Sequence, residues 1–246
     1  MSLLQLEGVS RRFGQVVVAE EISFQLDKGD AVGMIGPNGA GKTTLFAMIS
    51  GDVRPNSGRI LLDGDNVVKM APSKRARAGI GRTYQVPRPF EHMTVFENVL
   101  VAAQQGNRAR GQRSYSVAYE SLERTGLANF SNRSAGSLSL LHRKRLELAR
   151  ALSVGPRILL LDEIAGGLTD LEVNELTGII RELRVEGIAV LWIEHVVRAL
   201  LSTVDRLLCL AGGAIVADGE PKSVLASDAV RAVYLGGKTI LEAMPQ

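Results

Sequence analysis

Hydrophobic positions follow two rhythms along this chain. AVGMIG (31–36), RILLLDE (157–163) and GIAVLWIEH (187–195) are apolar at successive positions, the pattern of strands buried on both faces of a parallel sheet. ISFQLDKGD (22–30) alternates instead, with Ile22, Phe24 and Leu26 apolar, which predicts a half-buried strand ending in a turn. Together with LLQLEGVS (3–10) it predicts an antiparallel N-terminal sheet. GRILLDG (58–64) predicts another strand bounded by glycines, and RLLCLAGGAIVADG (206–219) a hairpin turning at Gly212-Gly213.

Helical patterns separate these runs. TTLFAMIS follows the first buried strand, and TVFENVLVAAQQ (94–105) opens with a capping box, Thr94 with Glu97. SVAYESLERTGL predicts a helix after the polar loop NRARGQRS (107–114). TDLEVNELTGIIRELRVEG (169–187) carries a second capping box, Thr169 with Glu172, and short helical patterns finish the chain. SAGSLSLLHRKRLELARAL (134–152) has Ser139 as N-cap and a face of Leu146, Leu148, Ala149 and Leu152. Its first turn is followed by His142-Arg143-Lys144-Arg145, cations where the helix dipole favours negative charge. Either an anion belongs at that helix start or the run is a solvated face. Buried parallel strands interleaved with helices predict an α/β fold, interrupted by a helical insert over about 86–152.

Composition narrows the function classes. With 246 residues the chain can bury one large core with a subdomain, and 46% apolar against 22% charged residues is an ordinary globular balance. Lys+Arg 29 against Asp+Glu 26 leaves +3, too little to argue nucleic-acid binding from charge. The basic clusters 73–77, 107–113 and 142–145 are expected to be mostly solvated faces. Cys209, the single cysteine, lies in an apolar run and is expected to be buried; no intrachain disulfide or cysteine zinc site is possible. The start of the sequence has no signal-peptide core, and no stretch approaches the ~18–20 apolar residues of a membrane span. A cytoplasmic protein is expected, whose membrane connection comes through a partner.

The strongest chemical signal is GPNGAGKT (36–43), a complete G-x-x-x-x-G-K-[ST] match between a buried strand and a helix. Gly36, Pro37, Asn38, Gly39, Ala40 and Gly41 would bring successive backbone N–H groups against phosphate oxygens, at the positive end of the helix that Lys42, Thr43 and Thr44 begin. Lys42 would reach the β- and γ-phosphates, and the Thr43 hydroxyl would ligate Mg²⁺. Asp162, at the end of RILLLDE, is placed to hold Mg²⁺, while Glu163 points the other way, toward the γ-phosphate, and polarises water. Nucleoside triphosphate binding, with ATP and Mg²⁺ as ligands, follows.

GPNGAGKTT, Gln85, LSLLHRKRLELARAL, ILLLDE and His195, in this order, resemble the ABC-type ATPases over nearly the whole chain. GIGRTYQVPRPFEHMTVFENVLVAA (79–103), IEHVV and the late VYLGG resemble the ATP-binding subunits of branched-chain (hydrophobic) amino acid importers. The resemblance implies one ABC domain over 1–246. Residues 1–85 and 153–246 would form a RecA-like P-loop NTPase core with an N-terminal antiparallel β subdomain, and 86–152 the inserted helical subdomain. It implies that Gln85 touches Mg²⁺ or the attacking water, that His195 contacts the γ-phosphate, and that Phe13 stacks on adenine.

It also places the family's signature, commonly LSGGQ, at Leu138-Ser139-Leu140-Leu141-His142. In a head-to-tail dimer this helix start, with Ser139, closes on ATP held by the other subunit, which would supply the missing anion in trans. Leu141 replaces the glycine of closest approach and is expected to obstruct it. Ile164 replaces a usual proline, and Thr169 stands at an acidic position, both where two subunits should meet. The chain's own site is complete while the element it lends is degenerate. A heterodimer with asymmetric hydrolysis is therefore expected, with a homodimer that tolerates the substitutions as the rival. The leading function is the ATP-hydrolysing subunit of a membrane importer, working with transmembrane permease subunits and held at the inner membrane face. A soluble ABC ATPase acting on nucleic acid or ribosomes, and a binding-only regulatory cassette, are the alternatives.

Overall fold

The computed structural model describes residues 2–106 and 110–235. Part of the 107–114 loop and the end of the VYLGG motif therefore lie outside the described residues. The first sheet has four strands in the order β2-β1-β4-β5, all antiparallel: β1 (Leu4–Phe13), β2 (Val16–Leu26), β4 (Ser57–Leu62) and β5 (Asp65–Asn66). The second has six, in the order β10-β9-β3-β8-β7-β6. Here β3 (Ala31–Ile35), β6 (Ile80–Arg82), β7 (Ile158–Asp162), β8 (Ala189–Ile193) and β9 (Arg206–Ala211) pair in parallel, and β10 (Ala214–Gly219) closes the hairpin on β9. The hairpin turns at Gly212 and Gly213, both with positive φ.

The continuous apolar runs are explained by the two faces of this second sheet. Val32 and Met34, Ile158 and Leu160, Leu191 and Ile193, and Leu208 and Leu210 join a core shared with the first sheet and with α1 (Lys42–Ser50). Their neighbours Ala31, Ile35, Leu159, Leu161, Val190, Trp192, Leu207 and Cys209 face the opposite way, onto α6 (Asp170–Val185), α7 (Val197–Leu201), α8 (Pro221–Ala226) and α9 (Asp228–Leu235). With period-2 side chains and both faces covered, β3 and β8 carry no polar side chain, and in β7 the only one is Asp162 at its end.

A third apolar cluster belongs to the central helices. Val95, Val99 and Ala103 form the inner stripe of α3 (Val95–Gly106) and meet Ala118 and Leu122 of α4 (Gln112–Arg124) and Leu146 and Ala149 of α5 (Leu140–Ser153). Both predicted capping boxes form. Thr94 N–H donates to Glu97 Oε2 (2.7 Å) and Glu97 N–H to Thr94 Oγ1 (3.1 Å). Thr169 and Glu172 do the same at the start of α6.

Several short elements were not anticipated, β6 and α2 (Pro72–Arg77) among them. β6 is only three residues long, too short to show a period, and α2 is a single basic turn and a half. In α2 Ser73, Lys74 and Arg77 are exposed as expected of a solvated face, and Arg75 is the exception. Arg75 is fully buried and donates to Met48 O (2.6 Å) and Ile49 O (2.9 Å), capping the carbonyl end of α1.

Candidate functional site

The loop between β3 and α1 is shaped by backbone that only glycine tolerates. Gly36, Gly39 and Gly41 have φ of 150°, 82° and 101°. A Cβ on Gly36 would lie 2.0 Å from Leu210 O, and one on Gly41 1.9 Å from Val18 O. The loop is thus pressed between β9 and β2, and the first-turn N–H groups of α1 open toward it without intrahelical acceptors. Lys42 Nζ curls back to donate to Gly36 O (2.7 Å) and Pro37 O (3.0 Å). Burial lowers its pKa, opposed by the nearby carboxylates of Glu163 and Asp162. Thr43 is exposed on the first turn, Thr44 half-buried, and Asn38 exposed at the loop tip.

The two acids at the end of β7 diverge as their adjacent positions require. Asp162 is buried, with Arg82 Nη2 3.6 Å from Oδ2 and its backbone N–H on Thr83 Oγ1 (3.2 Å). Its Oδ1 is buried without a partner, and burial raises its pKa although Arg82 pulls it down. Glu163, at φ 49°, turns its carboxylate between two other loops. Oε2 accepts from Gln85 Nε2 (2.5 Å), and Oε1 lies 2.8 Å from His195 Nε2. Residues 85, 163 and 195, from the ends of three different strands, thus meet on one carboxylate. Such a group can orient and deprotonate water beside a phosphate-binding loop.

Phe13 and Ser139 stand outside this set. Phe13 is exposed at the end of β1 with the Arg11 guanidinium 4.3 Å from its ring centre. Ser139 caps α5 in its own chain, accepting from His142 N–H (3.4 Å) with Oγ 3.0 Å from His142 Nδ1. The His142 ring packs on Phe130 at 4.2 Å between centres. Burial, then Arg145 and Arg133, lowers the pKa of His142.

The expectation that Leu141 obstructs this surface is corrected. Leu141 is 7% exposed and turned inward, whereas Leu140 is 44% exposed beside Gly167. The basic run is not a solvated face either. Arg143 donates to Leu138 O (3.0 Å) and Gly136 O (2.8 Å), Lys144 to Glu163 O (3.0 Å), and Arg145 pairs with Glu175. Ile164 is buried, and Thr169 serves as the cap of α6.

Three polar side chains around the acids were not singled out from sequence: Arg82, Lys144 and Glu194. Each is held by a partner distant in sequence, so only the buried acid in WIEH could have drawn notice. Cys209 is buried as expected, which pushes its thiol up to about 11. Among the described residues no helix is long and apolar enough to cross a membrane. None of their His, Cys, Asp and Glu side chains gather in threes that could hold a metal ion alone.

Residues 19–166 match the ABC transporter family. The chain is 36% identical to the high-affinity branched-chain amino acid transport ATP-binding protein BraF of Pseudomonas aeruginosa, over 95% of this chain and 98% of that protein. It is 34% identical to the lipopolysaccharide export system ATP-binding protein LptB of Haemophilus influenzae, over 96% of this chain and 98% of the other. A solved ATP-binding cassette of an ABC transporter in its ADP conformation shares the fold with a TM-score of 0.88 at 30% identity, covering 96% of this chain and 99% of that one. A dimeric cassette bound to ADP and Pi, 21% identical, matches in fold alone with a TM-score of 0.79, over 89% of this chain and 98% of that one. Sharing its fold and nearly its whole length with such proteins, the chain belongs to the ABC transporter family and is one of its ATP-hydrolysing, energy-coupling cassettes.

Proposed function

We propose that this cassette drives a membrane importer for branched-chain amino acids or a related small solute. The hydrolytic part of the reading rests on the Glu163 carboxylate, held between Gln85 and His195 and close enough for its charge to act on Lys42, and the import part on the likeness to BraF. In this reading Glu163 polarises the attacking water, Gln85 and His195 fix its direction, and Lys42 leaves the Gly36 and Pro37 carbonyls for the β- and γ-phosphates. Residues 36–44 bind the phosphates, and Phe13 supports adenine. Asp162, Thr43 and Gln85 would hold Mg²⁺, which neutralises phosphate charge when bound. The unpartnered Asp162 Oδ1 fits that role, as does a site whose remaining ligands arrive with the nucleotide.

The core of 1–85 and 153–246 and the helical subdomain of 86–152 would move against each other during turnover. Between them lies a cleft of about 290 Å³ lined in part by Ser50, Asp52, Arg82, Tyr84, Glu147 and Arg150. Exposed Tyr84 sits there under the Arg82 guanidinium at 4.9 Å, and the Arg150 guanidinium, also in the lining, lies 5.4 Å from the ring centre of exposed Phe90. An aromatic, cation-lined cleft suits a permease segment at the inner membrane face. Across the nucleotide, the second cassette is a different subunit with an intact signature, since exposed Leu140 stands where this chain would meet its partner's ATP.

The LptB relatives, 33–36% identical, favour a second reading, lipopolysaccharide export. One strain decides between them. With Glu163→Gln replacing the wild-type chain, uptake of labelled leucine should fall at least tenfold while the outer envelope stays intact. Unchanged uptake with a failing lipopolysaccharide layer would establish the export reading instead.

A further inference from the structure

Glu163 points at its two partners from an unusual backbone conformation. A φ of 49° places a non-glycine residue in the left-handed region, which persists where the surroundings over-determine it. Its N–H donates to Ile193 O in β8 (2.9 Å), and its carbonyl accepts from Lys144 Nζ (3.0 Å). Lys144 is 4% exposed and comes from the second turn of α5, whose start is the signature segment. The peptide that aims the carboxylate is therefore clamped between the sheet and the signature helix.

Glu194 completes the arrangement. It is 1% exposed and accepts three backbone N–H groups: Ala165 on Oε1 (2.6 Å), and His195 (2.9 Å) and Val196 (3.3 Å) on Oε2. One buried carboxylate thereby joins the loop after Glu163 to the loop that carries His195. It is also the leading negative charge acting on the Lys144 ammonium. A neutral amide of the same size presents one acceptor oxygen and cannot serve both loops. Burying an ammonium and a carboxylate is costly, and an apolar filling would serve packing alone.

We propose that Lys144 and Glu194 are positioning residues for ATP hydrolysis, coupling the placement of α5 to the aim of Glu163 and His195 in the same chain. Closure of the signature segment on a partner would then adjust this chain's own water-activating carboxylate. The proposal rests on the reading that Glu163 activates water.

The test measures ATP turnover and ATP binding in the complex captured through a tag on this chain, with Glu163→Gln as control. Glu194→Gln and Lys144→Met should each lower kcat at least tenfold while ATP affinity stays within twofold of wild type. The double variant should be no slower than about twice the slower single one, and Lys144→Arg, which still donates to the Glu163 carbonyl, should recover most of the rate. If Glu163→Gln is inactive while both variants keep kcat within twofold, the proposal is overturned and the reading of Glu163 stands. If Glu163→Gln itself turns over normally, that reading fails first. Equal losses of kcat and ATP affinity, unrescued by arginine, would make both residues merely structural. Glu194→Gln preserves volume, so it carries the test even where Lys144→Met does not assemble.

Discussion

Replacing the two leucines of the signature segment one at a time separates their roles. Leu141 is 7% exposed in the second position of α5, and Leu140 is 44% exposed in the first. Leu141→Gly removes a buried side chain, about 2–5 kcal/mol, and adds about 1 kcal/mol for glycine in a helix. The sum is about 3–6 kcal/mol. Leu140→Gly gives up roughly half of the ~1.5–3 kcal/mol of full burial, with less than ~1 kcal/mol of helix penalty at the first turn. It should cost about 1–2 kcal/mol. Urea denaturation followed by circular dichroism measures both, and Leu141→Gly should be the more damaging by about 2–4 kcal/mol. The functional consequence runs the other way. In a Glu163→Gln background, Leu140→Gly should promote ATP-dependent association of this chain, because the exposed side chain is the one in the way. Equal stability costs, or association gained by Leu141→Gly but not by Leu140→Gly, would refute the assignment.

Two further substitutions test the nucleotide side. Gly41→Ala forces a Cβ to within 1.9 Å of Val18 O at φ 101°. It should cost at least the ~1–2 kcal/mol of a left-handed non-glycine residue and weaken binding of a fluorescent ATP analogue at least tenfold. Asp162 has its pKa raised from 3.8, mainly by burial, so the folded state binds its proton more tightly than the unfolded one. Its contribution to stability falls as pH rises from the ordinary carboxylate value through the raised one. Asp162→Asn should therefore raise the melting temperature at pH 7 and flatten that part of the pH–stability profile, while abolishing Mg²⁺-dependent turnover. Arg82 keeps Ser50 and Asp52 as partners in that variant.

Much of the architecture is legible in the sequence because strong local rules agree with the final fold. Strands buried on both faces show as unbroken apolar runs, capping boxes at Thr94 and Thr169 mark their helix starts, and paired glycines mark the 206–219 hairpin. The phosphate loop is legible because its chemistry demands glycine at fixed spacing. What escaped notice depends on tertiary partners. Arg75 looks like surface charge until α1 presents two carbonyls to it, and Lys144 belongs to a basic run until Glu163 O is found 3.0 Å away. Which of two adjacent leucines faces outward depends on the rotation of α5 against its neighbours, and helical periodicity one residue from a cap does not resolve it. β6 is too short to announce itself, yet it ends in Arg82 and leads directly to Gln85.

In the proposed function this chain carries a complete hydrolytic site and lends its partner a defective signature. Light scattering on Glu163→Gln protein alone, with and without saturating ATP, tests it most directly. The protein should stay monomeric in both conditions, with ATP bound as shown by a parallel titration. A dimer that appears only with ATP would mean that the Ser139–His142 segment still closes on nucleotide, and the argument for a different partner subunit would fall.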